Sequence, residues 1–217
     1  MLYKMTDGTF FYHVPKTGGR AYKAFNCDKG NGNASSSLAA GDEKWDRCPH
    51  ILGSPLTEHH IAKPNKTQRI RVIIRDPVDR FLSAYYFTKR CSVGGPHKTS
   101  PIIRQIKKWR HCPNWGSSPF EMVTKILNHT DDIDKLNFFH FNSQHKWHSD
   151  LKPKNVIYID FKDLNFKERL GKAPRRAPLQ SEHNLSQIVD AVKILYKKDY
   201  DYFQNISRLK SITDAWL

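Results

Sequence analysis

The feature that most constrains the fold is a buried strand that runs directly into a helix. Residues 69–75 read RIRVIIR, and their consecutive apolar and β-branched residues are typical of a strand inside a parallel sheet. Asp76 and Pro77 then supply a helix N-cap and a first-turn proline. Apolar residues follow at helical spacing: Phe81, Leu82, Tyr85 and Tyr86. A strand followed at once by an amphipathic helix is a building unit of α/β proteins.

The same alternation recurs along the chain. Residues 9–14 (TFFYHV) form a short β-rich run, followed by a PKTGG turn and by RAYKAF, which begins a predicted helix. Residues 155–160 (NVIYID) are the third predicted strand. Further helices are predicted over residues 101–109, 119–128 and 185–196. The sequence therefore predicts an α/β fold of three layers, with a central parallel sheet flanked by helices and ligands at the carboxyl ends of its strands.

Length indicates one domain. A chain of 217 residues can bury a substantial core but is short for two domains, so we predict a single domain over residues 1–217. Residues 28–48 are rich in Gly, Asn, Ser and Asp, which predicts a mobile surface loop. No apolar run approaches the roughly 18 residues that span a bilayer, so no membrane segment is expected.

The charge balance favours anionic partners. Lysine and arginine total 36 against 21 acidic residues, and the formal net charge is +15. Such a field attracts nucleic acid, sulfated glycans, anionic membranes and nucleotide cofactors alike. The basic residues are scattered along the chain rather than gathered in a tail. A folded anion-binding surface is therefore favoured over a disordered nucleic-acid arm.

Cysteines and glycosylation sequons bear on the compartment. The four cysteines show no C-x-x-C spacing and no tight clustering with histidine, so no metal site is predicted. Their order suggests the local pairs Cys27–Cys48 and Cys91–Cys112, which would indicate an oxidising compartment. Five sequons point the same way: Asn33, Asn65, Asn128, Asn184 and Asn205. No signal peptide is recognisable, so we expect the Golgi lumen or secretory pathway if a targeting segment was removed, and otherwise the cytoplasm, as for a viral or microbial protein.

The turn after the first strand has the composition of a phosphate cradle. Its sequence is HVPKTGGR, in which paired glycines let backbone N–H groups approach an anion and Lys16 adds a full charge. The helix predicted to follow would add the dipole of its N-terminus. The nucleoside-triphosphate P-loop would require glycines at Phe10 and Pro15, so this loop is of another kind. The alternative is an ordinary turn before a helix.

A second anion site is predicted where the 69–75 strand meets its helix. Arg75 closes the strand and Ser83 lies two turns into the helix. Together they can hold a phosphate by charge and by hydroxyl donation. Asp79 and Arg80 of the same motif are interpreted as members of structural pairs. The alternative is a capped helix with surface charges.

Together, HVPKTGG and RDPVDRFLSAYY resemble the 5′-phosphosulfate loop and the 3′-phosphate motif of Golgi-type carbohydrate sulfotransferases, such as the heparan sulfate 2-O- and 6-O-sulfotransferases. The resemblance covers mainly residues 9–25 and 69–90. It implies a P-loop-like sulfotransferase fold that binds 3′-phosphoadenosine 5′-phosphosulfate (PAPS). The implied cofactor-binding residues are Lys16, Thr17, Gly18, Gly19 and Arg20 for the 5′-phosphosulfate, and Arg75 with Ser83 for the 3′-phosphate. The family often has Thr or Ser at the position of Arg20.

The resemblance also implies catalytic residues. Sulfuryl transfer needs a base for the attacking hydroxyl, and family members that use histidine place it upstream of the RDP strand. Here that interval contains Glu58-His59-His60, so His60 is the first candidate base and His59 the second, with Glu58 orienting the base or replacing it. Lys16 would neutralise the bridging oxygen as the S–O bond breaks. An Asn-x-Gln segment lies near the active site of these enzymes, so Gln144 is expected to touch substrate or cofactor.

The sequence thus predicts an enzyme that transfers the sulfuryl group of PAPS to a glycan hydroxyl by in-line attack. The basic surface favours an anionic polysaccharide over a protein tyrosine as acceptor. A nucleotide-dependent kinase is disfavoured because Gly-Lys-Ser/Thr is missing. The remaining alternative is a non-catalytic heparin- or nucleic-acid-binding module, which the charge alone would support. In the favoured interpretation no nucleic acid partner is expected.

Overall fold

The structure is a computed structural model. It describes residues 2–4, 9–18, 69–92, 118–131, 140–148, 156–164 and 184–214. Several predicted features fall outside these ranges: the helix beginning at residues 20–25, the loop over residues 28–48, the helix over residues 101–109 and at least one cysteine of each suggested pair.

Within the described residues, four strands form one sheet in the order β1-β2-β3-β4. The strands are β1 (Leu2–Lys4), β2 (Phe10–Tyr12), β3 (Ile70–Ile74) and β4 (Val156–Asp160). β1 runs antiparallel to β2, whereas β2, β3 and β4 are parallel. Tyr12 pairs with Val72, and Val72 pairs with Tyr158. This register brings the carboxyl ends of β2, β3 and β4 to one edge of the sheet, and the predicted parallel sheet is confirmed.

Both faces of the sheet are buried. On one face, Tyr12, Val72 and Tyr158 contribute to the main hydrophobic core. On the other face, Phe11 and Ile73 are also inaccessible to solvent. Burial on both faces is what makes β3 an almost continuous apolar run. The α/β class predicted from the sequence is confirmed.

Helices surround this sheet. They are α1 (Pro77–Ser92), α2 (Pro119–Asn128), α3 (Gln144–His148), α4 (Leu185–Leu195) and α5 (Lys197–Asp214), with a short 3₁₀ turn over Phe161–Asp163. α4 packs against α1 and α2, and α3 packs against α5. Buried apolar residues from α1, α2 and α4 join the core: Phe81, Leu82, Tyr85, Met122, Val123, Ile126, Ile188 and Val192.

The helix ends follow the capping signals in the sequence. Asp76 accepts the N–H of Asp79 at 3.0 Å and begins α1 as predicted. α2 has the predicted bounds, and Ser118 caps it by accepting the N–H of Glu121 at 3.2 Å. α4 ends one residue before the predicted position because Tyr196 is its C-cap.

The strand β1 and the helix α5 were not predicted. The inward-facing residues of α5, Tyr202, Phe203 and Ile206, do follow a helical period, but they lie among lysines and aspartates that hide the pattern. Tyr196 is the sole residue between α4 and α5, and the chain turns there without glycine or proline. The N–H of Asp199 binds the carbonyl of Tyr196 at 2.8 Å, which starts the new helix directly after the old one.

Arg80 connects helix α1 with the loop after β2 and with the segment before α3. Its side chain is fully buried. Nε donates to the carbonyl of Pro15 at 3.0 Å, and Nη1 donates to the carbonyl of Asn142 at 2.7 Å. Burial lowers the pKa of Arg80, while the neighbouring Tyr196 and Asp199 oppose this shift. These contacts give Arg80 a structural role, made with main-chain carbonyls.

Replacement of this arginine should destabilise the protein. We expect Arg80→Met to lower the free energy of unfolding by about 3 kcal/mol, because two buried carbonyls lose their donor and Asp199 loses the positive charge beside it. Urea unfolding followed by tryptophan fluorescence measures the change. Arg90→Met, at an exposed position of the same helix, is the matched control and should leave the free energy nearly unchanged. Equal losses in the two variants would contradict the structural role of Arg80.

Candidate active site

The loop after β2 has an unusual backbone. Lys16 has φ 67° and Gly18 has φ 82°, both in the left-handed region. Glycine adopts this conformation without steric cost, whereas a residue with a Cβ loses about 1–2 kcal/mol. Between them, Thr17 is buried and its Oγ1 donates to the carbonyl of Val14 at 2.9 Å. Left-handed residues in a turn allow backbone N–H groups to converge on an anion, and strain of this kind clusters at functional sites.

Arg75 lies beside this loop at the carboxyl end of β3. Its Nη1 donates to the carbonyl of Lys16 at 3.1 Å. The guanidinium carbon stands 4.3 Å from the centroid of the Phe161 ring, which follows β4. Three strand ends thus meet around one guanidinium group. The structure brings Lys16 and Arg75 together at the sheet edge where ligands bind in folds of this class.

The side chain of Lys16 reaches the first helix. Its Nζ lies 3.5 Å from the centroid of the Phe87 ring, a cation–π contact. Ser83 lies one helical turn before Phe87, so both belong to the same face of α1. Ser83 is partly exposed. Lys16 and Ser83, the predicted phosphate-binding serine, therefore both lie near Phe87 of α1.

Gln144 does not have the role expected from the sequence. Its side chain is fully buried. Oε1 accepts the N–H of Arg75 at 3.0 Å, and Nε2 donates to the carbonyl of Arg75 at 2.6 Å. Both polar atoms of the amide thus bind main chain, so the expectation that Gln144 touches substrate or cofactor is wrong.

Comparison with protein-family models matches residues 1–158 to the Sulfotransferase family. The chain belongs to this sulfotransferase family. The matched region includes the left-handed loop, Arg75 and helix α1, whereas α4 and α5 lie beyond it. Searches of curated proteins and of solved structures find no match. The chain is therefore an enzyme of sulfuryl transfer, and the kinase and the non-catalytic binding module are set aside.

In this sulfotransferase the N-terminus of α3 is capped from the last helix. Asp199 of α5 accepts the N–H of Gln144 at 2.8 Å and the N–H of His145 at 2.7 Å. Burial raises the pKa of Asp199, and the two N–H groups and the charge of Arg80 act in the opposite direction. The sequence gave no signal of this role for Asp199, because an acidic residue among lysines resembles part of a solvent-exposed helix face.

His140 is a second residue of the sulfotransferase that the sequence did not single out. Its ring lies 5.2 Å from that of Phe87, centroid to centroid, at an interplanar angle of 77°. His140 is therefore one aromatic ring away from the ammonium group of Lys16. No spacing in the sequence connects positions 16, 87 and 140, because tertiary packing alone brings them together.

Five predicted site residues lie outside the described ranges: Gly19, Arg20, Glu58, His59 and His60. Their assignments stay predictions, as do the roles of the site residues that the structure describes. In the described part of the chain no group of His, Cys, Asp and Glu side chains is arranged to hold a metal ion. Nor does any helix there have both the length and the apolar character required to cross a membrane.

The left-handed glycine offers a test of the loop conformation. We expect Gly18→Ala to lower the free energy of unfolding by about 1–2 kcal/mol, because a Cβ is disfavoured at φ 82°. Gly18→Asn is the matched comparison and should cost less, since asparagine tolerates the left-handed region. Urea unfolding of both variants and the wild type measures the difference. An alanine variant as stable as the asparagine variant would contradict this backbone.

Proposed function

We propose that this sulfotransferase transfers the sulfuryl group of PAPS to a hydroxyl group of a glycan, by in-line attack assisted by a histidine base. The observation that carries the proposal is the meeting of Lys16 and Arg75 at the carboxyl edge of the sheet, beside the helix face with Ser83. The family uses a sulfate donor, typically PAPS, which matches the two predicted anion sites.

The described residues fit such a donor. PAPS carries two anionic groups on its ribose, a 5′-phosphosulfate and a 3′-phosphate. The left-handed loop with Lys16, Thr17 and Gly18 would hold the first through N–H groups and charge. The guanidinium of Arg75 and the hydroxyl of Ser83 would hold the second. The resemblance alone adds Gly19 and Arg20 to the residues that would hold the 5′-phosphosulfate.

The reaction assigns different tasks to the residues of the chain. PAPS supplies an activated sulfuryl group whose transfer releases adenosine 3′,5′-bisphosphate. Lys16 stabilises the negative charge that develops on the bridging oxygen, so its removal should affect rate more than binding. His60, or His59 in second place, accepts the proton of the acceptor hydroxyl, and Glu58 orients that imidazole.

The acceptor is proposed from charge. A net charge of +15 attracts polyanions over a long range, and this effect supports an acceptor that is already anionic, such as a uronic-acid-containing or sulfated polysaccharide. Transfer of the sulfuryl group to a protein tyrosine would replace the proposal of an anionic polysaccharide acceptor.

The donor site can be tested by thermal unfolding. Adenosine 3′,5′-bisphosphate at about 100 times its Kd should raise Tm by roughly 5–10 °C, whereas ATP should raise it less. Arg75→Ala should abolish the selective rise because the 3′-phosphate loses its cation, and Lys16→Ala should reduce it. Arg90→Ala and Lys198→Ala, at exposed positions, are the matched controls. No shift at saturating bisphosphate would overturn the proposed donor.

The base can be tested by kinetics. We expect His60→Ala to lower kcat by about 10²–10⁴-fold while the Kd for adenosine 3′,5′-bisphosphate stays unchanged, since the base touches the acceptor. His59→Ala is the comparison at the second candidate, and His140→Ala tests the imidazole near Lys16. Transfer of labelled sulfate to desulfated heparin measures the rate, with a tyrosine peptide as the alternative acceptor. Full activity in both His59 and His60 variants would exclude this histidine pair.

A further inference from the structure

Arg75 stands at a point where the backbone changes direction. It follows the last residue of β3 and precedes the cap of α1, so its main-chain groups belong to neither element. Buried N–H and C=O groups require partners. Gln144 provides both, at 3.0 and 2.6 Å. This two-point contact fixes both peptide groups that flank the Cα of Arg75, and hence the direction in which its side chain leaves the sheet.

Gln144 is itself fixed from α5. The carboxylate of Asp199 binds the main-chain N–H groups of Gln144 and His145 at 2.8 and 2.7 Å. Asp199 is fully buried, and hydrogen bonds are electrostatically stronger in the protein interior than in water. The position of Gln144 is thereby set by a residue 55 positions further along the chain.

The contacts continue to the donor loop. From Arg75 the guanidinium donates to the carbonyl of Lys16 at 3.1 Å and lies over the ring of Phe161. A continuous series of hydrogen bonds therefore leads from Asp199 through Gln144 and Arg75 to Lys16. Each link joins residues more than 50 positions apart in the sequence.

We propose that Gln144 and Asp199 are positioning residues of the donor site, which hold Arg75 in the orientation that recognises the 3′-phosphate. The inference rests on the proposed function, in which Arg75 binds that phosphate. Neither residue touches the donor: Gln144 acts through the main chain of Arg75, and Asp199 acts through Gln144. Asp199 also lies outside residues 1–158, so this part of the site comes from beyond the family match.

The inference predicts a selective loss of affinity. If Gln144 acts through Arg75, its loss should weaken ligands that carry a 3′-phosphate and spare ligands that lack one. A general loosening of the fold should weaken both kinds equally. Adenosine 3′,5′-bisphosphate and adenosine 5′-phosphosulfate are the two probes, since the second has no 3′-phosphate.

The experiment measures Kd for both probes by calorimetry on the full chain. Gln144→Met removes both amide contacts at similar size, and we expect the Kd for the bisphosphate to rise about tenfold and that for the 5′-phosphosulfate less than about twofold. Asp199→Asn should change the same Kd in the same direction but less. Gln187→Met and Asp201→Asn, at exposed positions of α4 and α5, are the matched controls and should bind as the wild type does.

A double-mutant cycle separates this inference from the proposed function. With Arg75→Ala already present, Gln144→Met should cause no further loss of bisphosphate affinity, because the two act as one unit. If Arg75→Ala leaves the preference for the bisphosphate intact, the proposed role of Arg75 fails, and the inference fails with it. If Arg75→Ala removes the preference but Gln144→Met keeps it, only the inference is overturned.

Folding of the variants is checked first by circular dichroism and urea unfolding. Should Gln144→Met not fold, Gln144→Asn replaces it, since its shorter amide stays polar but cannot reach both main-chain groups of Arg75. Equal weakening of the two probes in a folded Gln144 variant would show a general structural role and would overturn the inference.

Discussion

The structure depends on one buried cation. Arg80 leaves helix α1, reaches the carbonyl of Pro15 in the loop after β2 and also binds the carbonyl of Asn142 before α3. A planar guanidinium can make these two bonds at once because its donors diverge in a fixed fork, which a lysine cannot reproduce. Burying such a charge costs several kcal/mol, so it persists only where hydrogen bonds and nearby negative charge offset that cost. Arg80 therefore joins the loop after β2 to the segment that precedes α3.

The parallel register of the strands brings the candidate site residues together. Because β2, β3 and β4 point the same way, the residues after each strand meet at one edge: Lys16, Arg75 and Phe161. Like charges repel, so two cations at one edge of the sheet each need stabilising contacts. Lys16 lies over Phe87, and Arg75 lies over Phe161 while binding the Lys16 carbonyl. Aromatic faces and a carbonyl thus stabilise two neighbouring positive charges in a place suited to an anionic donor.

Much of this arrangement was predictable from local signals. Strand β3, the cap at Asp76 and helix α2 follow from apolar runs and capping residues, and Lys16 and Arg75 stand where strand ends are expected to bind ligands. Local patterns carry no information on contacts between distant positions. The amide of Gln144 was therefore assigned to the ligand rather than to Arg75, and the position of His140 against Phe87 was missed. The helix α5 was missed because its buried side begins with the acidic Asp199, and because Tyr202, Phe203 and Ile206 lie among lysines and aspartates.

Asp199 links the proposed donor site to helix α5. Without Gln144 and His145 the buried carboxylate of Asp199 would lose these two donors, and without Asp199 the first two N–H groups of α3 would lose this acceptor, while the hydroxyl of Ser143 would still accept the N–H of Lys146. Each element therefore stabilises the other, and α3 and α5 are expected to form together rather than one after the other. Since α3 presents Gln144 to Arg75, the orientation of the proposed 3′-phosphate ligand is set only once α5 has packed. Helix α5 is thus linked to Arg75 and to the loop after β2 through hydrogen bonds between main chain and buried side chains.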